Sequence, residues 1–71
     1  MIFKVLTRDH DPAHVHVYKA GETAKIGLGD EENGPYLMVN VGMKAKDLRV
    51  AMEVVGRNQA MFLAAWRKTH G

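Results

Sequence analysis

Apolar and polar positions alternate through roughly the first forty residues, and the pattern then changes to a helical one. Residues 2–7, IFKVLT, read as a first strand. HVHVYK at 14–19 alternates strictly, with Val15 and Val17 on one face and His14, His16 and Tyr18 on the other. AGE at 20–22 is a hairpin turn that leads into TAKIGL at 23–28, where Ala24, Ile26 and Leu28 oppose Thr23, Lys25 and Gly27. GDEENGP at 29–35 is a loop, dense in Gly, Asp and Asn and closed by Pro35. YLMVNV at 36–41 is a fourth strand, with Leu37, Val39 and Val41 opposite Tyr36, Met38 and Asn40.

From Lys44 to Lys68 the spacing predicts one long amphipathic helix. Leu48, Met52, Val55, Gln59, Phe62 and Trp66 form a stripe at intervals of three and four. Asp47 and Lys68 suit the dipole at its two ends, no side-chain oxygen stands ready to cap its start, and Gly56 is a weak point within it. His70 and Gly71 mark the stop. Val50, Val54, Met61 and Ala65 add a second apolar band beside the stripe, and the charged wedge of Arg49, Glu53, Arg57 and Arg67 is narrow. So broad an apolar surface predicts a partner.

These elements assemble into a single α+β domain spanning 1–71: an antiparallel sheet of three to four strands with one long C-terminal helix packed on one face. Val15, Val17, Ala24, Ile26, Leu37, Val39 and Val41 are expected to face that helix. One helix covers one face of a sheet. The other face is therefore expected to be open and to carry His14, His16, Tyr18, Lys25, Tyr36, Met38 and Asn40.

Composition narrows the function classes. With 71 residues, 46% of them hydrophobic and 25% charged, the chain has globular composition and room for one thin core. It has no cysteine, which excludes disulfides and thiolate zinc sites and leaves oligomerisation, or a histidine-bound metal, as the staple a small domain needs. A homodimer is expected. Neither a signal peptide nor an apolar run near the roughly 20 residues of a membrane span is present, and a cytoplasmic location is expected. The net charge of +2 permits nucleic-acid contact without a Lys/Arg block that would demand it.

The chemistry concentrates in DHDPAHVHVYK, residues 9–19, which holds three of the four histidines. His14 and His16, two apart on a strand, project side by side, and His10 precedes them across the Asp11-Pro12 turn. Three readings stay open. His10, His14 and His16 supply three nitrogens for zinc or another divalent ion. Alternatively His14 and His16, with His10, act as general acid and base in metal-independent RNA cleavage, and Lys25 stabilises the phosphorane-like charge. In the third reading they cap the sheet face and hydrogen-bond loop backbone or a partner. Asp9 is placed to orient an imidazole, although an acidic residue opening a turn needs no such role. Tyr18 and Tyr36 are stacking candidates, whereas Trp66 and Phe62 belong to the packing stripe.

D-H-x-P-x-H-V-H-V-Y-K, followed by A-K-I-x-L, G-P-Y-L, N-x-G-M and A-W-R-K-x-H-G, resembles the small bacterial domain-of-unknown-function family numbered 4160 over residues 9–71. Asp9, His10, Pro12, His14, Val15 and His16 carry its most specific block. Relatives resemble one half of a two-gene, toxin–antitoxin-like operon, beside another small protein. The resemblance implies a toxin component that acts on RNA through the histidine cluster, with a cognate antitoxin protein as partner. A non-catalytic protein-binding module, or a homodimeric partner of the neighbouring protein, is the alternative, and a histidine–metal domain the third. Relatives often carry a longer first strand ahead of this block and a serine where Lys44 stands, which implies an N-terminal strand that is clipped or poorly ordered here and a helix without its expected cap.

Overall fold

In the computed structural model, which describes residues 1–70, β-branched alternation in the first half of the chain pairs into a four-stranded antiparallel meander. β1 (Ile2–Lys4), β2 (His14–Lys19), β3 (Glu22–Gly27) and β4 (Tyr36–Val41) lie in the order of the sequence. β2 and β3 form the central hairpin, in register from Lys19↔Glu22 to His14↔Gly27. Ala20 and Gly21 connect them with φ of 49° and 82°, the double left-handed geometry of a two-residue type I′ turn. α1 (Ala45–Arg57) and α2 (Gln59–His70) then cross one face of the sheet. Val15, Val17, Ala24, Ile26 and Leu28 from the sheet side meet Ala51, Val55, Phe62 and Trp66 in the core.

The first strand is shorter than its pattern predicts. It stops at Lys4, which pairs with His16, rather than running to Thr7. The chain turns at Thr7 and Arg8, and Asp9 then meets His16 from outside the sheet. β3 begins and ends one residue earlier than expected, and Leu28 continues the pairing through its N–H, 2.9 Å from the Ala13 carbonyl.

β4 departs further. Its pairing slips between Lys25↔Val39 and Ile26↔Leu37, so Met38 is an extra, bulged residue. One inserted residue exchanges the faces of everything beyond it. Val39 thus stands opposite Lys25 on the side away from the helices, and Asn40 opposite Ala24 on the helix side. Leu37, Val39 and Val41, expected in the core, are 45%, 44% and 60% exposed. Asn40 gains a task from the exchange. Its side chain accepts from the Met43 N–H (2.9 Å) and donates to the Met43 carbonyl (3.0 Å), closing a turn in which Gly42 has φ 86° and Met43 is buried. That clamp accounts for the N-x-G-M string.

The single long helix is two helices. α1 ends at Asn58, whose backbone N–H bonds the carbonyls of Val54 and Val55 and whose side-chain Nδ2 donates to Val54 at 2.8 Å. Gln59 lies outside the core that its place in the stripe predicts. Its Nε2 is 2.8, 2.9 and 3.2 Å from the carbonyl oxygens of Leu28, Asp30 and Asn33, and this fastens the break to the β3–β4 loop. Those carbonyls converge because Gly29, at φ 69°, turns so tightly that any side chain there would strike the Asn33 and Gly34 backbone. Asp30 braces the loop by accepting from the N–H groups of Glu32 and Asn33, bonds that hold its carboxyl below the usual carboxylate range.

Lys44 precedes α1 in an extended conformation without a side-chain cap, as the missing cap residue predicts. The helix start is held elsewhere. Lys19 Nζ donates to Asp47 Oδ1 at 2.7 Å, tying the β2–β3 hairpin to the first turn of α1. This bond, helped by the charges of Lys19, Lys44 and Lys46, lowers the Asp47 pKa. A carboxyl whose folded pKa lies below its unfolded value of about 3.9 contributes stability above that pH and loses it as pH falls through the folded value. Stability is therefore expected to drop below about pH 4. Asp47→Asn should lower the urea midpoint at neutral pH and flatten the acid limb, leaving the share due to Asp30. An unchanged acid limb in Asp47→Asn would contradict the role of the Lys19–Asp47 bond.

Candidate functional site

Three titratable side chains converge where the β1–β2 connection folds back over the first residues of β2. His14 and His16 alternate on the strand and so share a face, with ring centroids 5.1 Å apart. Asp9, in the connection, sends Oδ2 to within 2.8 Å of His16 Nε2 and 3.2 Å of His14 Nε2. The Asp9, His14 and His16 donor atoms lie within 4.8 Å of one another.

The two imidazoles are held differently. His14 Nδ1 is 2.8 Å from the Pro12 carbonyl, and because a carbonyl only accepts, Nδ1 carries the hydrogen. In the neutral ring Nε2 then bears a lone pair. This Nε2 is buried and, despite its proximity to Asp9, is aligned with no hydrogen-bond partner among the described residues. His16, half-buried, donates from Nε2 to Asp9. Its ring stacks beside Tyr18 at 6.4 Å, and Lys4 Nζ lies 5.5 Å from the Tyr18 ring centroid.

His14 is not on an open face. It is 4% exposed, enclosed by the 9–12 segment and by Trp66 of α2, whose ring centre is 5.2 Å away. Alternation sends its side chain away from Val15 and Val17 as predicted, but the face at this end of the sheet is covered. His70, in the last turn of α2, stacks on Trp66 at 3.7 Å, donates from Nδ1 to the Trp66 carbonyl and also keeps a buried, unpartnered Nε2.

The remaining sequence candidates are placed apart from this convergence. His10 is exposed in the connection and is not in the cluster. Lys25 is the cross-strand partner of His16, on the same face and half-buried. Tyr36 lies across Gly27, whose missing side chain makes room for the ring. Asp9 is the residue that sequence reasoning undervalued. Its signal is its place within the D-H-x-P-x-H-V-H block, where the chain bends at Asp11 and Pro12. A shallow groove elsewhere is lined by Asp30, Glu31, Glu32 and Arg67, with no histidine.

The chemistry available is that of two imidazoles and a carboxylate facing one another, with the reactive nitrogens turned inward. Such a group holds a cation well, whether a proton or a metal ion. No described helix is long and apolar enough to cross a membrane.

A small α+β domain with a loop-covered Asp–His–His cluster at one end of its sheet is thus the class that fold and site define. Residues 1–67 match the family described as a domain of unknown function, DUF4160, and the chain belongs to that family. No curated protein and no solved structure matches the chain.

Burial makes His14 a structural as well as a chemical residue. His14→Ala removes a ring packed on Trp66 and strands the Pro12 carbonyl, at an expected cost of about 2–4 kcal/mol. His10→Ala should change stability by less than about 0.5 kcal/mol. Urea denaturation of both variants checks this, and equal, small effects would show that His14 is exposed in solution.

Proposed function

We propose that the protein is a partner-binding module, the small subunit of a two-protein pair of the toxin–antitoxin kind, and that β4 is its recognition element. One observation carries the reading. β4 is a six-residue edge strand bonded only to β3, and Tyr36, Leu37, Val39 and Val41 along it are 43–60% exposed. An edge strand offers a row of unpaired N–H and C=O groups, and proteins normally guard such edges with charge, proline or brevity. β1 is guarded by being three residues long. β4 carries no charged residue and no proline. A strand from a second chain laid along it gains main-chain hydrogen bonds and covers apolar side chains on both faces. A second copy or the neighbouring small protein fits this edge, and Val50 and Met61 on the helices are further exposed apolar positions.

Light scattering and sedimentation test the reading on the chain alone and mixed with the small neighbouring protein that the family resemblance implies. The expected result is a dimer or a mixed complex at micromolar concentration, abolished by Val39→Lys together with Val41→Lys while the circular dichroism is retained. A 7.9 kDa monomer under both conditions would remove the proposal.

RNA binding is the second reading, favoured by charge. Across the face away from the helices stand Lys4, Tyr18, Lys25 and Tyr36, and the strands place no carboxylate on that side. A four-stranded sheet with exposed Tyr36 and Lys4 beside half-buried Tyr18 and Lys25 suits single-stranded RNA. If the face binds it, Lys4→Gln and Lys25→Gln should each reduce the salt slope by about 0.7. Fluorescence anisotropy that shows no binding at low salt would exclude it. Neither reading calls on the histidines for proton transfer.

A further inference from the structure

We propose that Asp9 Oδ2, His14 Nε2 and His16 Nε2 form a binding site for one divalent transition-metal ion of the zinc class, and that His10 takes no part. The argument begins with the orphaned nitrogen. His14 is 4% exposed, and its Nδ1 hydrogen is committed to the Pro12 carbonyl, so an unprotonated Nε2 faces inward with a lone pair and no donor to meet it. The Asp9 carboxylate oxygen that faces it, itself only an acceptor, is 3.2 Å away. Two lone-pair atoms held together in a dry place repel each other unless a cation sits between them.

Geometry agrees with a metal in that role. Zinc binds imidazole nitrogen and carboxylate oxygen at about 2.0–2.2 Å, which puts neighbouring tetrahedral ligand atoms a little over 3 Å apart. The His14–Asp9 separation of 3.2 Å meets this, and the His16–Asp9 separation of 2.8 Å needs only a small opening. On binding, the ion takes the place of the hydrogen that His16 Nε2 donates to Asp9: Nε2 gives that proton to solvent and Nδ1 takes one up, so the ring ligates as the neutral Nδ1–H tautomer. A carbonyl-bound Nδ1–H behind a ligating Nε2 is the usual outer support of a metal-bound histidine, and Pro12 supplies it for His14. Two nitrogens and one oxygen favour Zn2+, Co2+ or Ni2+ over Mg2+ and Ca2+. Three protein ligands leave one position for water or a further ligand.

Trp66, the one tryptophan of the chain, reports on the site because its ring lies 5.2 Å from that of His14. Untagged protein titrated with Co2+ should bind one equivalent, develop the visible absorption of a four- or five-coordinate site and lose Trp66 fluorescence in parallel. Zn2+ should displace the cobalt and raise the melting temperature, whereas Mg2+ and Ca2+ leave both unchanged. Asp9→Ala and His16→Ala should weaken cobalt binding by at least about 100-fold, more than losing an outer support typically costs, and His10→Ala should leave it unaltered. The wild-type spectrum and quenching stand whether or not those variants fold. Absence of stoichiometric binding by the wild type, or binding that survives Asp9→Ala and His16→Ala in folded protein, would overturn the proposal.

Discussion

One hydrogen bond organises this molecule's chemistry: the 2.8 Å contact between His14 Nδ1 and the Pro12 carbonyl. His14 is the buried polar side chain of the described residues, set among apolar neighbours that tolerate no unpaired donor. Bonding Nδ1 to a backbone oxygen two residues earlier settles that donor locally. It also draws the β1–β2 connection down over the end of the sheet. Asp9 follows and reaches both imidazoles. Trp66 closes the other side, so a polar cluster and the apolar core share a wall. Neither can be changed without disturbing the other.

A second constraint is area. Two helices of 13 and 12 residues cover the β1–β3 part of one face and leave β4 uncovered. A chain this small has no further element to spend on that edge. The Met38 bulge deepens the exposure, because it sends Val39 and Val41 away from the helices and brings Asn40 to their side. The same slip lets Asn40 hold the turn into α1, where the sequence offers no capping residue at Lys44. The exposed valines and the secured helix start are thus two consequences of a single inserted residue.

Much of the architecture was legible in the alternation. Val15, Val17, Ala24 and Ile26 point inward as their spacing says, and the four strands and the helical second half stand where the period changes. What escaped depends on contacts distant in sequence. A bulge costs nothing in a single-strand pattern, so Val39 and Val41 read as core, whereas Leu37 keeps its register opposite Ile26 and is exposed because the helices leave β4 uncovered. The break at Asn58 needs the converging carbonyls of Leu28, Asp30 and Asn33 to receive Gln59, and no periodicity reports them. At the site, the placement of His14 and His16 on one face followed from the strand. The burial of His14, the convergence of Asp9 and the separation of His10 did not, because they are set by how an irregular nine-residue connection folds.

The state of the His14 ring tests the account at its centre. Long-range 1H–15N correlation spectra of the metal-free protein at neutral pH distinguish the protonated from the unprotonated nitrogen of each imidazole. The structure predicts a His14 ring whose Nδ1 carries its hydrogen in slow exchange with solvent, bonded to Pro12, with Nε2 bare. A His14 protonated at Nε2 alone, or a ring exchanging rapidly between tautomers like an exposed histidine, would contradict it.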